Sequence, residues 1–147
     1  MATKKKAARP AKTKPANDNT ARTGKLIVYV DDDLELVRLV EGALIDEGWE
    51  VITAPDGETG LEAILVEQPD LVILDVMMPG LTGWEISKYL RTKQDFADMP
   101  ILMLTGIGER MNALTAPLYG ATAHLDKPFD LDDLLEIVRQ LLSDDAA

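Results

Sequence analysis

The chain has no cysteine, and among its 147 residues a single histidine, His124. Without thiols there is no disulfide, no thiolate zinc site and no cysteine nucleophile. One imidazole excludes a multi-histidine metal centre and makes a Ser-His-Asp triad a thin prospect. Aromatic residues amount to 5%, and no apolar run approaches the roughly eighteen residues that mark a membrane-spanning helix. The first 24 residues lack Leu, Ile, Val and aromatics altogether, so nothing in them offsets the entropy lost on ordering. They contain no apolar core of a secretory signal either. Residues 1–24 are read as a disordered basic tail, and the absence of cysteine fits a reducing cytoplasm.

What is present is 46% apolar and 28% charged, the composition of a soluble globular protein. A chain of this length forms about one domain and buries roughly two-thirds of its unfolded surface. The net charge of -11 combines two unlike parts. Residues 1–25 hold eight Lys/Arg against Asp18 alone, or +7, and residues 26–147 hold seven against twenty-five acids, or -18. Lys4–Lys6, Arg9, Lys12 and Lys14 could form an arm for nucleic acid or an anionic membrane surface. A solubilising tail, or one lying on its own acidic domain, is the favoured reading, since the arm has no aromatic platform for bases.

From Lys25 onward short apolar runs alternate with longer periodic ones. Leu26–Val30 is an unbroken apolar run, as expected of a strand buried on both faces. Leu36, Leu39/Val40 and Ala43/Leu44 recur at helical spacing until Gly48. Glu50–Ala54 reads as an outer strand, and Gly57 to Gln68 as a helix stopped by Pro69. Leu71–Leu74 is a third strand running into Asp75. After the Met78-Pro79-Gly80 turn, Thr82 and Glu85 fit a capping box. Ile101–Leu104 and Thr122–Leu125 are the fourth and fifth strands, ending at Thr105 and Asp126. The last helix carries the stripe Leu131, Leu134/Leu135, Val138 and Leu141/Leu142. Strand–helix alternation repeated five times predicts an α/β fold, a doubly wound parallel sheet with helices on both faces. The domain is placed at 25–143, with 144–147 a C-terminal tail.

In such a sheet ligands bind beyond the carboxyl ends of the strands. Those ends deliver Asp31 and Asp32, Asp75, Thr105 and Lys127. Taken singly, each has a plain structural explanation. Asp33 suits an N-cap, Asp31–Asp32 a helix start, Asp75 a turn, Thr105 a strand end and Lys127 the surface. Together, three carboxylates at one rim repel without a cation, and an all-oxygen set suits Mg2+.

Tyr29-Val30-Asp31-Asp32-Asp33, Leu74-Asp75-Val76-Met77-Met78-Pro79-Gly80, Thr105 and Lys127-Pro128-Phe129, in that order, resemble the receiver domain of two-component response regulators. The resemblance covers about residues 25–143 and implies a flavodoxin-like five-stranded sheet of order 2-1-3-4-5. It implies that Asp75 is the phosphoacceptor, taking a phosphoryl group from a histidine kinase or histidine phosphotransfer protein. Mg2+ would be held by Asp32, Asp75 and the Met77 backbone carbonyl, with Asp31 acting through water. Lys127 would pair with Asp75 and then with a phosphoryl oxygen, after a cis Lys127-Pro128 bond, and Thr105 would hydrogen-bond the phosphoryl group. The switch aromatic three residues before the lysine is here His124, which protonation below neutral pH would bias outward.

The segment after strand four departs from the family pattern. Thr105-Gly106-Ile107-Gly108 opens it with two glycines and Pro117 lies inside it, so a kinked or partly unwound fourth helix is expected. Met77 and Ile107 flank the approach of a hydrolytic water, which points to slow self-dephosphorylation. With five residues after Leu142, a stand-alone receiver acting through an unknown downstream protein, or a relay intermediate, is expected. Two other readings stay open. A haloacid-dehalogenase-like phosphohydrolase would use Asp31, and a receiver-fold scaffold would work without phosphorylation.

Overall fold

The computed structural model describes residues 24–106 and 120–143. Residues 1–23, 107–119 and 144–147 lie outside the described residues, and with them the expected basic tail, the kinked fourth helix, Ile107 and the C-terminal tail. The described chain forms strands β1 (Leu26–Val30), β2 (Glu50–Ala54), β3 (Leu71–Asp75), β4 (Ile101–Thr105) and β5 (Ala123–Asp126). Four helices accompany them: α1 (Leu34–Asp46), α2 (Gly57–Glu67), α3 (Gly83–Leu90) and α4 (Leu131–Leu142). The strands form one parallel sheet of order β2-β1-β3-β4-β5. This is the doubly wound, flavodoxin-like arrangement expected from the sequence.

Strand composition follows place in the sheet. The unbroken apolar runs of β1, β3 and β4 are buried along their whole length, while β2 and β5 at the edges are partly exposed. Because side chains alternate along a strand, each central strand feeds two cores. Ile27, Tyr29, Leu71, Ile73, Leu102 and Leu104 pack with Val37, Val40 and Leu44 of α1 and Leu134, Leu135 and Val138 of α4. Val28, Val30, Val72, Leu74, Ile101 and Met103 pack with Ile64 of α2 and Ile86 and Leu90 of α3.

Helices α1, α2 and α3 start at side-chain caps, those at Asp33 and Thr82 as the sequence indicates, while Asp130 before α4 makes no side-chain cap bond. Asp33 accepts from the Leu36 N–H at 3.2 Å, and Asp56 from the Thr59 N–H at 2.8 Å. Thr82 and Glu85 form the reciprocal capping box. Two boundaries differ by a residue from the sequence expectation. Helix α2 stops at Glu67 because Gln68 takes a left-handed conformation, φ +49°. β5 begins at Ala123 because Thr122 is occupied in closing the start of β4: its N–H donates to the Ile101 carbonyl at 2.8 Å, and its hydroxyl accepts from the Ile101 N–H at 3.0 Å.

Candidate functional site at the carboxyl rim

Alternation along the strands explains which side chains meet. Asp31 continues the Ile27/Tyr29 face of β1, Asp75 the Leu71/Ile73 face of β3, and Lys127 the Ala123/Leu125 face of β5. All three therefore emerge on the α1/α4 side of the rim. Lys127 Nζ lies 3.0 Å from Asp75 Oδ1 and 3.3 Å from Asp31 Oδ2. Carboxylate oxygens of Asp31, Asp32 and Asp75 lie within 4.8 Å of one another. Asp31 and Asp75 are buried and Asp32 is exposed.

The backbone holds Asp75 at the end of β3. The Val76 N–H donates to the Leu104 carbonyl and the Gly83 N–H to the Val76 carbonyl, both at 3.0 Å. Gly83 has to be glycine, because a Cβ there would collide with the Asp75 carbonyl oxygen. The turn between them passes through Gly80, whose φ of +79° suits a residue without a side chain. The Lys127-Pro128 bond is cis.

Charge at the rim is unbalanced. Burial, followed by the charge of Asp31, pushes the Asp75 carboxyl up to about 7, against the opposing pull of Lys127. Burial works against the Lys127 ammonium, but Asp31 and Asp75 outweigh it and hold its pKa above the ordinary value. Among the described residues the Lys127 ammonium thus pairs with Asp31 and Asp75 beside the third carboxylate of Asp32, and the oxygen-only donor set fits a hard divalent cation such as Mg2+.

Asp31 has partners that the sequence reading missed. The buried Tyr29 hydroxyl donates to Asp31 Oδ2 at 2.7 Å, and the Asp33 N–H donates to Asp31 Oδ1 at 3.0 Å. Tyr29 looked like one more core residue in an apolar run; its i,i+2 relation to Asp31 on one strand face was the available signal. Burial and then the charge of Asp31 raise the phenol pKa, so the hydroxyl stays a donor.

Thr105 is buried at the end of β4 and its hydroxyl donates to Asp126 Oδ1 at 2.7 Å. His124 is exposed on β5, beside Met103 in register. The Met77 side chain is 62% exposed, next to the rim.

Comparison with known proteins agrees with this geometry. The response regulator receiver domain family matches residues 27–139. The probable transcriptional regulator ycf27 of Cyanophora paradoxa is 41% identical over 118 residues, covering 80% of this chain and 48% of its own. The alkaline phosphatase synthesis transcriptional regulatory protein PhoP of Bacillus subtilis is 40% identical over 118 residues, with the same coverage. The chain spans about half the length of these curated relatives. Among solved structures, a putative response regulator from Chloroflexus aurantiacus superposes with a TM-score of 0.77 at 34% identity, covering 81% of this chain and 98% of its own. The chemotaxis response regulator CheY4 of Vibrio cholerae gives 0.76 at 35%, covering 82% of this chain and 100% of its own. The family match across most of the described domain, joined to the sheet order and the rim, establishes that the chain belongs to the response regulator receiver domain family.

Proposed function

We propose that the protein is a phosphoacceptor in a two-component system, receiving a phosphoryl group on Asp75 from a histidine kinase or histidine phosphotransfer protein. The observation that carries this reading is the buried Asp75 carboxylate, 3.0 Å from Lys127 Nζ and grouped with Asp31 and Asp32. An Asp75 oxygen attacks phosphorus; the O–P bond forms as the P–N bond to the donor imidazole breaks, and the imidazole leaves with that bond's electron pair. Lys127 passes from the Asp75 oxygen to a phosphoryl oxygen, and Thr105 donates its hydroxyl to another. Asp32, Asp75 and the Met77 carbonyl would hold Mg2+ directly. Asp31, whose two oxygens are already engaged by Tyr29, Lys127 and the Asp33 N–H, would hold it through water. Bound there, Mg2+ supplies neutralisation of the charge spread over the transferring group.

The same engagement argues against Asp31 as the nucleophile of a phosphohydrolase. The apolar side chains of Leu34 and Met77, each 62% exposed and close in sequence to the rim acids, suit a protein donor better than a small metabolite. The output runs through protein contacts, with His124 turning inward as Thr105 moves. Self-dephosphorylation is slow, and the protein works in the cytoplasm, where such a donor presents its phosphohistidine. Among the described residues no helix is long and apolar enough to cross a membrane.

The test is labelling from acetyl phosphate or a phosphorylated kinase with Mg2+, in native protein and Asp75→Ala. The native chain should take up label that decays slowly, and Asp75→Ala should take up none. Equal labelling of both would remove Asp75, and identical partner capture by both would favour a phosphorylation-independent scaffold. His124→Phe should alter phosphorylation-dependent partner capture; unchanged capture would remove His124 from the output step.

A further inference from the structure

Thr105 and Asp126 are Cα partners in the parallel β4–β5 register, so their side chains leave the sheet on the same face. Asp75 and Lys127 continue the opposite face, and the hydrogen bond between Thr105 and Asp126 follows from that placement. A threonine hydroxyl has one proton to donate. In the described state it goes to Asp126 Oδ1, at 2.7 Å, and a hydrogen bond to a charged acceptor is among the stronger ones available to a hydroxyl. Thr105 is also buried, so water competes poorly for that proton.

We propose that Asp126 is a positioning residue that holds Thr105 in its resting orientation, and that a phosphoryl group on Asp75 must take the hydroxyl from it. This rests on the phosphoacceptor reading and adds to it the carboxylate immediately before Lys127. The two acceptors exclude each other: while Asp126 keeps the proton, Thr105 cannot donate to the phosphoryl group. The Lys127 N–H donates to the Thr105 carbonyl at 2.6 Å, so the backbone that carries Lys127 is tied to the residue being released. Departure of Thr105 from Asp126 is then felt on β5, the strand that also carries His124. A charge-assisted bond of this kind biases the resting state by about ten- to a hundred-fold.

The experiment measures the dissociation constant of beryllofluoride, a tetrahedral phosphoryl mimic, in the full chain with Mg2+, by calorimetry or fluorine NMR. Asp126→Ala should bind it about ten-fold more tightly than the native chain, and Asp126→Asn, which keeps a weaker acceptor, should fall between them. In a Thr105→Val background Asp126→Ala should have no effect, because the hydroxyl it restrains is gone. An unchanged constant in Asp126→Ala and Asp126→Asn overturns the proposal. So does an equal gain in the Thr105→Val background, which would mark mere relief of charge repulsion. If the native chain shows no beryllofluoride binding that Asp75→Ala abolishes, the phosphoacceptor reading fails and this inference with it.

Discussion

The two ends of the sheet use similar residues in opposite ways. At the amino end polar groups are matched reciprocally. The Leu26 N–H donates to Asp70 Oδ2 and the Asp70 N–H returns a bond to the Leu26 carbonyl, both at 2.8 Å. Thr122 and Ile101 exchange bonds in the same manner. Arg91, at the end of α3, donates to the Phe96 carbonyl at 2.6 Å and the Gly120 carbonyl at 2.8 Å, tying together the approaches to β4 and β5. At the carboxyl end, among the described residues, Asp31 and Asp75 share the Lys127 ammonium with Asp32 close by, and Asp75 sits far above its ordinary pKa. The amino end is built for cohesion. The carboxyl end retains an electrostatic conflict, which in the proposed function a cation and a phosphoryl group would use.

If this contrast is right, substitutions at the two ends should have opposite signs on stability. Arg91→Ala is expected to destabilise the protein by about 2–3 kcal/mol, because it strips charged donors from two carbonyls. Urea unfolding reads this, and phosphorylation of the folded fraction should survive. A neutral effect on stability would mean that the amino end does not depend on the Arg91 bonds.

At the other end, Asp75→Asn should stabilise the metal-free protein by about 2 kcal/mol at pH 8. The native carboxyl, raised from 3.8 to about 7, keeps a proton in the folded state over a range where the unfolded chain has lost it. Stability of the unmodified protein therefore falls as pH rises from about 4 to 7 through this group. The advantage of Asn should grow across that window and vanish below it. Unfolding in chelator at several pH values checks this, and an Asn variant no more stable at pH 8 would mean that the rim carries no conflict.

The smallest of these effects concerns Tyr29. Tyr29→Phe keeps the ring in the core but releases Asp31 Oδ2 from its hydroxyl partner. Because outer partners orient metal ligands, Mg2+ affinity should fall about ten-fold. Calorimetric titration with Mg2+ reads it, and an unchanged dissociation constant would show that Lys127 and the Asp33 N–H suffice to orient Asp31.

The sequence discloses those parts of the molecule that depend on position along a strand. β1, β3 and β4 stand out as unbroken apolar runs because they are buried on both faces. Asp31 and Asp75 stand out because each follows such a run, and Lys127 because it follows the last strand. Caps at Asp33 and Thr82 are local and equally legible. Tyr29 was hidden because a phenol in an apolar run reads as core until Asp31 is seen to share its face. The Thr105–Asp126 bond depends on inter-strand register, and Arg91 acts on groups as far as 31 residues away along the chain. Neither follows from local pattern, although both residues lie in segments whose secondary structure was clear.

Everything proposed for the rim depends on phosphoryl transfer to Asp75. Its most direct test is to phosphorylate the native chain with acetyl phosphate and Mg2+, trap the acyl phosphate by borohydride reduction, and locate the modified residue by peptide mass spectrometry. A single modified position, at Asp75, is expected. Modification at Asp31, or no trapped acyl phosphate with any phosphodonor, would contradict it.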